Sequence, residues 1–423
     1  MFFTLPLAKW KRRRYGNSKL IRKTAMTMNE LRSRAMELAP MLKAIKDDLH
    51  RHPELSFQER RTTELIRRRL EALSISILDL GMETGVVGYL QGGRPGPTVA
   101  LRADIDAIAQ QEPTDNGVVS ETPGVMHACG HDFHTTCLLG AARLLSERRE
   151  ELAGNVVFLF QPAEEVTKGA KAMMEHGLWE KLPEMPRFLF GLHTRPEIAC
   201  GDVAIVPGGI MAGKTHFFID LTGVTGHCGS PHKCVDVITC GAAIVNAIQT
   251  VVSRNTDPLE PLVCAVFSIH AGTPENFVPE TLSMSGDIRA HSDAVMAATE
   301  KRLQQVVQGI AETYGCQWEL RFAPQVPVTY NGPEMTALAR KAAETVAGPE
   351  HIVSPRGDMG SEDFAVLGQT VPAFFYWIGT GYPNQTNAAW HNARFRTDDD
   401  ALPLGAALLA SSVLTAMEQT PSL

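Results

Sequence analysis

The chain has 423 residues, 44% hydrophobic and 21% charged, which fits a globular protein and excludes a disordered, collagenous or coiled-coil chain. The formal net charge is −7, yet residues 1–25 hold eight Lys/Arg and no acid, so the remainder carries 32 basic against 47 acidic residues. Such an acidic body lacks the clustered positive charge that phosphate contacts require, so nucleic acid is not an expected partner.

The basic head has its apolar residues (Phe2, Phe3, Leu5, Leu7) ahead of its charges, the reverse of a secretory signal. Residues 1–28 therefore read as a disordered or weakly ordered leader. Apolar spacing predicts a helix over 29–50 and an arginine-rich amphipathic helix over 56–73. Strands are expected at 98–102, 155–160 and 187–192, and helices at 135–149 and 168–176. Strands alternating with helices argue for an α/β domain, a mostly parallel sheet with helices on both faces.

The run 206–213 (VPGGIMAG) is glycine-rich and reads as a hinge. Beyond it the order changes to strand 216–221, helix 234–254, strands 262–270 and 281–291, helix 294–314 and strand 317–323. That β-α-β-β-α-β order is a split βαβ, ferredoxin-like α+β unit. A helix at 335–346, a strand at 373–378 and a closing helix at 402–417 follow. The expected organisation is a catalytic domain made of 29–211 and 326–423, interrupted by an inserted lid domain at 212–325. No window holds the roughly 18 uninterrupted apolar residues of a membrane span. The stretch 401–416, with Pro403, Gly405 and two serines, reads as a buried helix. Eight cysteines without a CxxC pair suggest free thiols in a reducing cytosol.

Chemistry concentrates in MHACGHD, where Cys129 and His131 stand two apart and point the same way if the loop is extended. A thiolate and an imidazole on one side suit zinc or a similar cation; a buried cysteine beside core histidines is the alternative. Next come Glu164 and Glu165 in QPAEE, where one carboxylate can coordinate a metal while its neighbour holds a water; a solvated acidic loop reads as well. His193, the RADID run with Asp106, and His391 in WHN are each weak alone. All fall at or beyond the C-terminal ends of expected strands, where open α/β sheets bind ligands. Cys129, His131, Glu165, His193 and His391 together are too many donors for one tetrahedral zinc and fit a two-metal site. Glu164 is then spare, placed to act as general base in amide hydrolysis. On the inserted unit, His227 and Asn276 could donate to an oxyanion, and Arg289 could clamp a carboxylate; a loop histidine, a turn asparagine and a surface salt bridge are the plainer readings.

The order of these motifs resembles the two-domain metallo-aminoacylase/carboxypeptidase family, in particular its amidohydrolase subfamily of hippurate and indole-acetyl-amino-acid hydrolases. The matching stretches are LRADIDAI, MHACGHDFHT, FLFQPAEE, GLHTRPEIACGDVAI, GVTGHCGSPH, ENFVPETLSMSGDIRA, GSEDF and AAWHNARF. The resemblance implies two divalent ions per subunit, zinc or manganese first and cobalt or nickel next, on Cys129, His131, Glu165, His193 and His391. It implies Glu164 as acid/base, Asp106 orienting the metal site, His227 and Asn276 on the oxyanion, and Arg289 on the substrate carboxylate. It further implies a homodimer or higher homo-oligomer formed through the inserted domain and a small N-acyl amino acid or short peptide as substrate; with the cysteine reading, the expected location is cytoplasmic. A non-catalytic binding protein on the same fold, or a metal-dependent esterase, is the alternative. The run TGHCGSPH departs from the family's small residues after the lid histidine, and GSEDF leaves Asp363 either behind the site or capping a helix.

Overall fold

The computed structural model describes residues 28–418, so the expected leader lies outside it apart from Met28. Its first part contains α1 (Met28–Glu37), α2 (Ala39–Arg51), α3 (Arg60–Ala72), β1 (Ser76–Leu78), β2 (Val86–Leu90), β3 (Arg94–Asp104), α4 (His131–Ser146), β4 (Ala153–Gln161), α5 (Gly169–Glu175), β5 (Phe188–Ala199), β6 (Val203–Ala204) and β7 (Gly208–Met211). Then come β8 (Gly213–Thr222), β9 (Gly226–His227), α6 (Val237–Asn255), β10 (Leu262–Ala271), β11 (Phe277–Val278), β12 (Thr281–Ala290), α7 (Asp293–Tyr314) and β13 (Gln317–Phe322). The chain closes with β14 (Thr329–Asn331), α8 (Pro333–Ala347), β15 (Ile352–Val353), α9 (Phe364–Gly368), β16 (Ala373–Gly381) and α10 (Leu402–Glu418).

An eight-stranded sheet runs in the order β1-β2-β4-β3-β5-β16-β6-β15. Its middle strands β4, β3, β5 and β16 are parallel, while β2 and β6 join antiparallel on either side. Period-2 alternation splits the strands between two cores. Val99, Leu101, Phe158, Phe160, Phe190 and Tyr376 face α1, α2, α4, α8 and α10. Ala100, Val157, Leu159, Leu189, Phe375 and Trp377 face the opposite side, with α5 and α9. Near-continuous apolar runs are what a doubly covered parallel sheet requires.

Residues from β8 to β13 form a separate four-stranded antiparallel sheet, β10-β12-β8-β13. Phe217, Ile219 and Leu221 of β8 and Leu282, Met284 and Ile288 of β12 pack under α6 and α7 in their own core.

One expectation needs correction. The single helix over 29–50 is two helices, with a break at Leu38 and Pro40 in the first turn of α2. Proline lacks the N–H and clashes with the turn before it, so a helix starts there readily but does not run through. Within the glycine-rich run 206–213, Gly208–Met211 pairs with β14, so the two connections between the units lie side by side. Among the described residues two helical stretches, Val237–Asn255 and Asp399–Glu418, are long and apolar enough to cross a membrane by length and composition; 83% of the second's apolar window is buried inside the protein, as expected of the stretch 401–416.

Candidate active site

Every side chain of the cluster rests on the C-terminal side of the parallel strands. Asp104 ends β3, Glu164 and Glu165 follow β4, and His391 follows β16. His193 sits inside β5, which runs on to Ala199 past the expected end at Leu192, and pairs with Trp377. Cys129 and His131 do not share an extended loop. Gly130 between them has φ +90°, and His131 opens α4. A Cβ at Gly130 would meet Thr194 Oγ1 at 2.7 Å, so glycine alone permits this turn. Ala163 also takes a left-handed φ of +54°, a strained turn just ahead of Glu164 that the preceding proline did not announce.

The turns bring the donors together. Ligand atoms of Cys129, His131 and His193 lie within 4.8 Å of one another, as do those of Cys129, Glu165 and His391, and those of His131, Glu164 and Glu165. The hydrogen bonds decide which nitrogens remain free. His193 Nδ1 donates to the Thr194 carbonyl at 2.9 Å, leaving Nε2 toward Cys129 Sγ at 3.4 Å. His131 Nδ1 donates to Asp106 Oδ1 at 3.2 Å, and its Nε2 is buried without a hydrogen-bond partner. Glu165 Oε1 is likewise buried without one, while its Oε2 stands 3.2 Å from His391 Nε2.

His134 looks like a further donor beside Asp104 and His131 but is fully engaged. Its Nδ1 donates to Asp104 Oδ1 at 2.6 Å, and its Nε2 accepts the Thr194 amide at 2.9 Å. It therefore holds the His193 strand in place. Under this layer lies Arg102, wholly buried, bonded to Asp104 (2.8 Å), Glu362 (2.9 Å), Asp363 (3.2 Å) and Gln161 (2.9 Å). Asp363 accepts from Gln161 Nε2 and the Ala170 amide and makes no capping bond to α9. The GSEDF motif is thus a buried ionic brace behind the site. The signal for it was an arginine and an aspartate inside an otherwise apolar strand.

Electrostatics follow from crowding. Burial first, then the charges of Glu362 and Glu165, push the Glu164 carboxyl well above its usual range. Burial, Glu165 and Glu164 push the Cys129 thiol up strongly. Burial opposes charge on His131, yet the Asp104 charge and the Asp106 bond carry it up to about 10. The acids demand positive charge at its Nε2, and a divalent cation there would replace the proton and reverse these shifts. The unpartnered His131 Nε2 and Glu165 Oε1, beside a thiol that meets the His193 imidazole, are a donor set that fits such cations.

The lid residues are not brought to this cluster. His227 is exposed, its Nδ1 accepting the Gly229 amide at 3.0 Å. Asn276 is exposed and accepts the Cys228 amide through its carbonyl at 3.1 Å. Arg289 is engaged by Asp287 Oδ2 at 2.9 Å and by the Met359 carbonyl at 3.0 Å.

Residues 100–415 match the peptidase family M20/M25/M40. The chain belongs to this family. It is 37% identical over 375 residues to the N-acetylcysteine deacetylase of Bacillus subtilis, spanning 88% of this chain and 96% of that one. An IAA-amino acid hydrolase of Arabidopsis thaliana is 34% identical, with 92% of this chain and 88% of the relative covered. The crystal structure of a dinuclear metal binding peptidase from the M20 family of Bacillus subtilis superposes with a TM-score of 0.80 at 34% identity, covering 91% of this chain and 99% of that chain. The M20 membership bears out the resemblance to metal-dependent amidohydrolases drawn from the motifs, and this protein is a hydrolase of that kind.

Proposed function

We propose that the protein hydrolyses the amide bond of small N-acyl amino acids, with Cys129, His131, Glu165, His193 and His391 holding two divalent cations, zinc or manganese before cobalt or nickel. The observation that carries this reading is the convergence of His131 Nε2, His193 Nε2, Cys129 Sγ and Glu165, beside a Glu164 carboxylate whose Oε2 stands 3.9 Å from His131 Nε2. When bound, the cations polarise the scissile carbonyl and acidify a water molecule. Glu164 takes the proton of the attacking water and passes it to the leaving nitrogen. Asp106 holds His131 and, through its acceptance of the Glu164 and Glu165 amides at 3.1 and 3.0 Å, the loop that carries the base. His227 and Asn276 donate to the developing oxyanion and Arg289 clamps the substrate carboxylate. All three stand on the inserted unit, so substrate binding is expected to draw that unit toward the cluster.

The same reading takes the protein as a cytoplasmic homodimer. Its eight cysteines are all free. The edge strand β10 exposes Phe267 and Ile269, apolar side chains that a second copy would cover. The test is a hydrolysis screen of acetyl, benzoyl, aromatic and long-chain acyl amino acids with each metal added back separately. Turnover of at least one substrate class with one of these metals is expected; inactivity across the set with metal verified in the protein would end the proposal.

A further inference from the structure

A cavity of about 270 Å³ opens on the catalytic unit beside the loop that carries Cys129 and His131. Its walls come from α2, the turn at 116–118, the stretch 127–132 and the segment 395–399. None of the five proposed metal ligands lines it. His127 does, at 2% exposure, and neither of its ring nitrogens meets a hydrogen-bond partner in the protein. An imidazole buried with both nitrogens unanswered has given up its bonds to water without replacement. A polar occupant of the cavity would supply that replacement.

The charges in the wall set the sign of the occupant. The lining acids are Asp132 and Asp399, and both are already paired. Asp132 meets His50 Nδ1 at 2.7 Å, and Asp399 meets Lys46 Nζ at 2.8 Å and Lys43 Nζ at 3.1 Å. Arg396 is different. No carboxylate pairs with it among the described residues, and its guanidinium lies 5.3 Å over the Tyr382 ring. The unanswered groups are thus a guanidinium and an imidazole, with lysines behind them. A guanidinium offers only donors, and an imidazole can supply another.

We propose that this cavity binds a small oxyanion, a phosphate or carboxylate group, held by Arg396 and His127 and distinct from the substrate carboxylate assigned to Arg289. The occupant would rest against the residues that flank Cys129 and His131 in the chain.

The experiment is calorimetric titration of the metal-loaded protein with inorganic phosphate and, separately, with acetate, against chloride at equal ionic strength. One saturable site per chain is expected for at least one of the two, and the stronger binder identifies the headgroup. Arg396→Gln, an exposed change that leaves the core untouched, should weaken it about tenfold or more, as loss of a charge-assisted hydrogen bond implies. His127→Phe, which keeps a ring of similar size and removes both ring nitrogens, should weaken it at least as much. Should that variant fail to fold, the Arg396→Gln result still decides. No saturation at tens of millimolar would mean that only water fills the cavity. Binding unchanged by Arg396→Gln, yet displaced by an N-acyl amino acid, would place the anion at the metal pair instead. Either result overturns the proposal.

Discussion

Asp106 and His131 are joined by one hydrogen bond, Nδ1 to Oδ1 at 3.2 Å, and the same carboxylate accepts the amides of Glu164 and Glu165 and the hydroxyl of Ser56 at 2.7 Å. One buried acid thereby fixes the ring orientation of a proposed ligand and the position of both glutamates. Asp106→Asn should weaken metal affinity about 10–100-fold, the usual cost of losing such a supporting partner. Metal content measured after dialysis against graded chelator checks this, and wild-type retention would remove Asp106 from the positioning role.

Glu164→Gln keeps the shape of the side chain and removes the base. Turnover should fall by at least about 100-fold while bound metal stays at the wild-type level. Steady-state kinetics with metal analysis of the same samples distinguishes this from a ligand loss, in which both would drop together.

Arg289 lies paired with Asp287, and the proposed clamp requires it to reach the substrate carboxylate. Arg289→Ala should raise KM about tenfold or more for substrates with a free carboxylate. Amidated analogues should be nearly unaffected. Equal losses on both would show that Arg289 serves the lid's structure and not the substrate.

Metal removal tests the donor set independently of catalysis. Ligands that bind only the folded chain stabilise it by mass action. Chelation should lower Tm by several degrees, of the order expected for about 3–4 kcal/mol of binding linkage, and metal addition should restore it. An unchanged Tm in verified metal-free protein would count against cations in the cluster.

His50 offers a pH prediction away from the proposed ligands. Burial opposes its charge, but bonds to Asp132 and Glu112 override this and raise it to about 9 from 6.5. A raised histidine contributes stability that is fully present below about 6.5 and lost as pH rises through about 9. The contribution is on the order of 3 kcal/mol at full effect. Urea melts of wild type and His50→Gln should therefore differ most at pH 6 and converge toward pH 9. A gap that does not change with pH would show that His50 is not charged in the fold.

Much of this protein was legible along the chain because its signals are local. Alternating apolar runs set the strands, and apolar spacing set α4, α6, α7 and α10 to within a few residues. Donor chemistry placed after those strands marked Cys129, His131, Glu164, Glu165, His193 and His391, because a parallel sheet gathers its strand ends on one side. What composition and spacing could not supply was direction. The left-handed turns at Gly130 and Ala163 aim the donors, and their φ values depend on Thr194 and on the loop packed around them, not on neighbours in the chain. His134 and His193 look alike as letters. The Thr194 amide and the Asp104 carboxylate occupy both nitrogens of the first, while the second turns its Nε2 to the Cys129 thiol inside the cluster, because hydrogen bonds between residues about 30 and 60 apart exist only once the strands are side by side.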